Sequence, residues 1–289
     1  MSLSPLGSTM IRLLIGFIIW TMSACAPDIP GATLQDTETG RPYKVYAPKS
    51  KDPAEPLPVL VVLHAYRTQP NNLVKGYSLI DRAVRKKGWI LVVPEGQKDD
   101  AGDYFWNATK ACCSDNASQK PDEVKYLNNM MQNVMKQYPV DAKRVYVLGV
   151  SNGAFMAYRW ACSPKSHVSS IVAIAGAGLF EPEEKCDPQK KVNVFHIHGK
   201  EDEVIRYDGK YPYPSTRQTV ERWIQRNELP SKPTQSKTPY MFGLGVVDQE
   251  TWQNESHKVE LWTVRSGEHH MRWLRWHVFR FIDFFQDED

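Results

Sequence analysis

The sequence predicts an α/β fold, a mostly parallel β-sheet with helices on both faces. Three observations predict it. Short, nearly unbroken apolar runs rich in Val recur, as in Leu57-Pro58-Val59-Leu60-Val61-Val62-Leu63 and Trp89-Ile90-Leu91-Val92-Val93, and such runs suit strands buried on both faces. Segments with apolar residues at helical spacing fall between them. The two kinds alternate through most of the chain, as crossover connections between parallel strands require. The chain has 289 residues, of which 42% are hydrophobic, enough for a sizeable core. No repeat or internal linker interrupts residues 41–289, so one domain is expected there.

The elements follow in order. Met10-Ile11-Arg12 opens an apolar run over residues 13–22, ending at Met22-Ser23-Ala24-Cys25. Met10 reads as the natural start. A basic start, about a dozen apolar residues and small residues before a cut site predict a signal peptide over residues 1–24. The run is too short to span a bilayer, which needs roughly 20 apolar residues. Two small residues before Cys25 resemble a bacterial lipobox, which would make Cys25 the lipidated first mature residue. The alternative is an ordinary signal peptide. Export is expected either way: a periplasmic or outer-membrane-anchored lipoprotein, otherwise a secreted protein, touching membrane only through the anchor at Cys25.

Residues 26–40 are rich in Pro, Gly, Thr and Asp and read as a tether leading into a first edge strand. Residues 41–47 alternate as a strand does. After the run at Leu57–Leu63, residues 79–85 suit a helix and residues 89–93 a buried strand stopped by Pro94. Residues 96–120 are polar and read as a long loop. Asp122 starts a helix in which Val124, Leu127, Met131, Val134, Met135 and Tyr138 share one face. Residues 144–150 form a strand that runs into Ser151, followed by a helix over residues 154–161. Residues 168–175 and 192–198 read as further buried strands, and Thr216–Arg226 as an amphipathic helix. Residues 228–236, with Pro230 and Pro233, form an excursion. Residues 259–264 make a last strand, and residues 271–285 an aromatic-rich helix.

A net charge of +3 with no basic stripe gives no support for a nucleic-acid partner. With Cys25 set aside, Cys112, Cys113, Cys162 and Cys186 remain. An even number in an exported chain predicts two disulfides. A bond between the adjacent Cys112 and Cys113 is the least expected of the three connectivities, because neighbouring residues strain the geometry. Each is therefore expected to reach Cys162 or Cys186. Zinc fits poorly, since no His or Asp stands at ligand spacing around the pair.

The chemistry gathers at Gly149-Val150-Ser151-Asn152-Gly153. Between a strand and a helix, Gly-x-Ser-x-Gly is the pattern of a nucleophile elbow, the sharp turn that exposes a serine hydroxyl in α/β-hydrolases. A serine hydroxyl is a weak nucleophile by itself and needs a His as base and an acid to orient that His. In this fold the chain order is Ser, acid, His. Asp202, after the strand at residues 192–198, is the expected acid, with Glu201 and Glu203 as fallbacks. His269, after the last strand, is the expected base, with His270 beside it as the alternative. His196 and His198 alternate along a strand, and packing accounts for them better than metal binding. The oxyanion is expected to meet the backbone N–H groups of Asn152 and of Tyr66, which follows the strand ending at Leu63. Tyr66, Tyr104 and Trp106 are candidates to line an aromatic-accepting cleft, although most of the Trp residues are expected in the core.

These residues resemble the polyhydroxybutyrate depolymerase and feruloyl esterase-like family of α/β-hydrolases. The matching pieces are residues 57–64, Trp106-Asn107-Ala108 with Cys112-Cys113, Val140-Asp141 with residues 144–147, the elbow, and His198-Gly199 with Asp202 and Tyr207-Asp208-Gly209. The resemblance covers roughly residues 40–285. It implies an extracellular carboxylic ester hydrolase without cofactor or metal, and it places the triad on Ser151, Asp202 and His269. The chain departs from the family at Ala65, where Gly is usual, at Ala154, and at His270-Met271-Arg272-Trp273, which stand where Thr-Trp-Pro-Gly usually follows the His. No separate polymer-binding domain is visible, so small or oligomeric esters are expected: feruloyl or acetyl esters of polysaccharide, or hydroxyalkanoate oligomers. The rivals are a serine peptidase of the prolyl-oligopeptidase type and a non-catalytic lipid-anchored binding protein.

Overall fold

A computed structural model describes residues 31–48, 55–69, 80–113, 120–180, 186–187, 189–271 and 275–286. The expected signal segment, Cys25 and residues 26–30 lie outside the described residues.

Strand β1 (Ala32–Gln35) pairs antiparallel with β2 (Pro42–Tyr46), so the edge strand already begins inside the tether segment. Then come β3 (Leu57–Leu63), α1 (Ile80–Lys87), β4 (Ile90–Pro94), β5 (Gln97–Lys98) and β6 (Tyr104–Phe105). Next are α2 (Glu123–Gln137), β7 (Val140–Val150), α3 (Asn152–Ala161), β8 (Val168–Ile174) and β9 (Asn193–Gly199). The C-terminal part holds α4 (Thr216–Arg226), β10 (Gln235–Lys237), β11 (Tyr240–Met241), β12 (Gly245–Gln253), β13 (Lys258–Val264) and α5 (Arg275–Gln286).

All the strands but β5 and β6 form one sheet in the order β1-β2-β4-β3-β7-β8-β9-β13-β12-β10, with β11 on β12. From β4 to β13 every neighbour is parallel, and both flanks are antiparallel. The mostly parallel sheet with helices on both faces that the alternating pattern predicts is the one observed.

Alternation within the apolar runs builds two cores. Val59, Val61 and Leu63 of β3 face α2, α3 and α4, joining Leu127, Met130, Phe155, Trp160, Val220 and Trp223. Leu60 and Val62 face the other way, joining Ile80 and Val84 of α1 and Phe281, Ile282 and Phe285 of α5. Two of the helices are fixed at their starts. Asp122 accepts from the Lys125 N–H at the head of α2, and Ser215 with Gln218 forms a reciprocal capping box on α4.

The structure adds a hairpin, β5–β6, inside the expected long loop, and the nine-residue strand β12. β12 lies in the antiparallel flank, and its residues GVVDQETWQ are only partly buried. It therefore lacks the unbroken apolar run that betrays a central parallel strand.

The disulfide expectation is corrected. Cys112 bonds Cys113, and Cys162 bonds Cys186. Cys162 caps α3 and its carbonyl accepts from the Asp187 N–H at 3.0 Å, which carries Cys186 to it. Cys112 and Cys113 are left to each other. A Thr109–Cys112 bridge and a positive φ of 74° at Cys113 turn the chain so that the two sulfurs meet.

Candidate active site

Three loops at the C-terminal ends of parallel strands converge here. β7 delivers Ser151, β9 delivers Asp202 and β13 delivers His269. Strands β9 and β13 are direct neighbours, in register from Val194–Val259 to Gly199–Val264. Their exit turns are stitched by Lys200 N–H to Val264 O at 2.9 Å and Glu201 N–H to Gly267 O at 3.0 Å. A Cβ on Gly199 would stand 2.1 Å from Gly267 O, so the acid's turn reaches the histidine's turn only because no side chain intervenes.

The elbow is built by the same kind of close approach. Ser151 has φ 52° and ψ −118°, a strained conformation that the surrounding turn imposes. A Cβ on Gly149 would lie 2.3 Å from Gly153 O, and one on Gly153 would lie 2.3 Å from Leu63 O. Both flanking glycines are therefore required by backbone contacts. The Ser151 N–H donates to Ile174 O at 2.8 Å, which ties the turn to β8.

The three candidate side chains form one chain of hydrogen bonds. Ser151 Oγ lies 3.0 Å from His269 Nε2, and His269 Nδ1 lies 2.8 Å from Asp202 Oδ2. Ser151 and Asp202 are buried, and the His269 side chain is nearly so. The other carboxylate oxygen, Asp202 Oδ1, accepts the N–H groups of Val204 (2.9 Å) and Ile205 (2.8 Å). Burial alone would push the Asp202 carboxyl up. Hydrogen bonds from His198 and His269, with the Ile205 N–H, outweigh it and hold the group well below the usual carboxylate range. His270 is exposed, with its ring 5.2 Å from that of His269 and at 74° to it. Glu201 and Glu203 are exposed and outside this arrangement.

The loop after β3 is anchored by His64. Its Nε2 accepts the Gly96 N–H at 2.9 Å, so its Nδ1–H donates to Ala65 O, also at 2.9 Å. The Tyr66 hydroxyl donates to Asp99 at 2.7 Å, and the Arg67 N–H donates to Tyr104 O at 2.9 Å. Trp106 does not line a cleft as expected. It is fully buried, its Nε1–H donates to His64 O at 3.0 Å, and its backbone is gripped by the Asn152 side chain. Asn152 Oδ1 accepts the Trp106 N–H at 2.7 Å, and Asn152 Nδ2 donates to Trp106 O at 3.0 Å. Asn152 Nδ2 also lies 3.6 Å from Cys112 Sγ. The elbow motif predicts a role only for the backbone of Asn152. Its side-chain grip was visible only as the co-occurrence of Ser-Asn-Gly with Trp106-Asn107.

Burial pushes the His64 imidazole down from 6.5 to about 4. The unfolded chain therefore takes up this proton below about pH 6.5, while the folded protein refuses it until about pH 4. Stability that is complete above pH 6.5 should fall as the pH drops through this window, by about 3 kcal/mol at most from His64. Buried His277 adds in the same direction. Urea midpoints measured from pH 7 to pH 4 check this, and His64→Gln should flatten the slope.

The sequence profile of the phospholipase/carboxylesterase family matches residues 94–235. A bifunctional acetylxylan esterase/xylanase of Neocallimastix patriciarum is 26% identical over 168 residues, covering 58% of this chain and 22% of that protein. Feruloyl esterase B of Piromyces equi is 23% identical over 194 residues, covering 62% of this chain and 34% of that one. The chain thus spans about a fifth to a third of the length of these two relatives. Among solved structures, the acetyl xylan esterase from Aspergillus awamori superposes with a TM-score of 0.65 at 14% identity, over 89% of this chain and 98% of that one. With its sheet order and the converging loops, the chain has the α/β-hydrolase fold and is similar to carboxylesterases, feruloyl and acetylxylan esterases among them.

Proposed function

We propose that the protein is a serine carboxylic ester hydrolase that works through an acyl-enzyme. The carrying observation is the unbroken chain Ser151 Oγ–His269 Nε2–Asp202 at 3.0 and 2.8 Å. Ser151 attacks the ester carbonyl carbon while its proton passes to His269 Nε2. Asp202 accepts from Nδ1–H, which keeps Nε2 free to take that proton and stabilises the imidazolium. The N–H groups of Asn152 and Tyr66 receive the oxyanion. Collapse expels the alcohol, which takes the proton from His269. Water, deprotonated by His269, then attacks the acyl carbon, and His269 returns that proton to Ser151 Oγ as the acid leaves.

The substrates proposed are small or oligomeric feruloyl or acetyl esters of polysaccharide, on the strength of the relatives. Tyr211, in the loop that follows Asp202, exposes its ring edge-to-face with Phe180 at 5.3 Å. The exposed face of the Tyr211 ring suits a phenolic acyl group or a sugar ring. The protein is proposed to be exported and anchored through Cys25. Its disulfides suit an oxidising compartment.

The test is a substrate panel of methyl ferulate, acetylated xylan and hydroxybutyrate oligomers, run beside p-nitrophenyl acetate. Turnover of the first two above the third is expected. Preference for the oligomers would overturn the substrate assignment, and inactivity on all four would overturn the esterase reading.

A further inference from the structure

β9 places His196 and His198 on the same face, two residues apart, and both are buried. The triad does not use them directly, yet they join it to the core. The Tyr158 hydroxyl, on the helix that follows Ser151, lies 2.7 Å from His196 Nδ1. His196 Nε2 lies 3.1 Å from His198 Nδ1. His198 Nε2 lies 2.7 Å from Ile205 O and 3.3 Å from Asp202 Oδ2. The two imidazoles stack at 5.4 Å and 18°.

The proton positions follow from the last contact. His198 Nε2 faces two oxygens that only accept, so it carries the hydrogen. A neutral His198 then accepts at Nδ1, and His196 must donate from Nε2. His196 Nδ1 in turn accepts from Tyr158. This arrangement satisfies every ring nitrogen and buries no charge. Burial also drives His196 well below its ordinary range, toward the neutral ring. The other groups facing the relay are Tyr207, edge-on to His198 at 5.8 Å with its hydroxyl on Thr263, and Trp223, stacked on Tyr158. No lysine, arginine or second carboxylate is among these contacts.

We propose that the Tyr158–His196–His198 relay is a positioning device for the catalytic acid, in which the forked His198 Nε2–H fixes the Ile205 turn and the Asp202 carboxylate against His269. This rests on the triad reading above. With Val204 and Ile205 donating to one oxygen, His269 donating to the other, and His198 Nε2 3.3 Å from that same atom, the carboxylate has one orientation. Without His198 the second oxygen keeps only His269, and the turn loses its carbonyl tie.

The test has a spectroscopic arm and a kinetic arm. In full-length protein labelled with 15N-histidine, His196 and His198 should both appear as neutral Nε2–H tautomers at pH 7. Protonation of either at Nδ1 would overturn the proposal. His198→Leu should lower kcat about tenfold or more with KM little changed, and should move the acid limb of the kcat/KM profile to higher pH as His269 gains an undivided carboxylate. His198→Gln keeps an N–H near the Nε2 position and should recover most of the loss. Equal losses in Leu and Gln with an unmoved acid limb would show packing alone and overturn it, as would a Leu variant with normal kcat. If His198→Leu does not fold, Tyr158→Phe decides: His196 should keep its Nε2–H tautomer, which His198 Nδ1 still requires, while its Nδ1 signal shifts as the hydroxyl donor is lost; an Nδ1–H tautomer or an unmoved Nδ1 signal would overturn the relay. Ser151→Ala separates the two readings. Full activity in that variant defeats the triad, whereas an inactive Ser151→Ala beside a normal His198→Leu defeats only the relay.

Discussion

Ser151→Ala is expected to lower kcat on p-nitrophenyl acetate by roughly 10⁴- to 10⁶-fold while leaving KM within a few-fold. In the proposed mechanism the hydroxyl oxygen is the attacking atom, and alanine removes it without touching the backbone that holds the elbow. The strained φ of 52° at this position and the bonds of its N–H to Ile174 O and of its O to Ala154 are backbone features, so the fold should persist. A fluorophosphonate probe should add one adduct to the wild type and none to the variant, read by intact mass. His269→Ala should fall nearly as far, because its Nε2 is the atom 3.0 Å from the hydroxyl. His270→Ala should stay within a few-fold, since that ring is exposed and stands outside the hydrogen-bonded chain. Equal mild losses in the two His variants would sink the assignment of the base, and an active Ser151→Ala would sink the nucleophile.

The parts that could be read from the sequence share a physical cause. The strands β3, β4, β8 and β9 and the second half of β7 are buried nearly throughout, so their residues form mostly apolar runs, interrupted by few polar residues, that turns delimit. The elbow could be read because two backbone approaches, Gly149 on Gly153 and Gly153 on Leu63, leave no room for a Cβ. Constraints of that kind write themselves into residue identity. The strand β12 did not, because a half-exposed antiparallel strand accepts Asp248, Gln249 and Glu250. The Cys112–Cys113 bond runs against the strain argument because the contact between Cys162 and Asp187 takes Cys186 and removes the other partner. Trp106 looked like a cleft residue and is instead held by Asn152, a meeting of residues 46 positions apart that no local pattern encodes. The sequence of His196 and His198 alone predicts packing. Their alternation shows a shared face, but only the turn of residues 202–205 back over β9 shows what that face meets.

Asp202→Asn should cost about 10⁴-fold in kcat, for a reason specific to this carboxylate. Its Oδ1 accepts two backbone N–H groups, from Val204 and Ile205. In the variant the amide oxygen must take that place, because an NH2 group there would face two donors. The NH2 group then lies where Oδ2 was, pointing at His198 Nε2 and His269 Nδ1. His198 still has Ile205 O as acceptor, 2.7 Å away. His269 has no such choice: to receive a hydrogen bond at Nδ1 it must carry its proton on Nε2, facing Ser151. A ring in that tautomer cannot take the serine proton, although every heavy atom keeps its position. The variant should therefore fold normally, keep its substrate KM, and lose fluorophosphonate labelling in parallel with turnover. In 15N spectra the His269 signals should change from the Nδ1–H to the Nε2–H tautomer. A variant with near wild-type kcat, or one whose His269 tautomer is unchanged, would show that Asp202 does not orient the base.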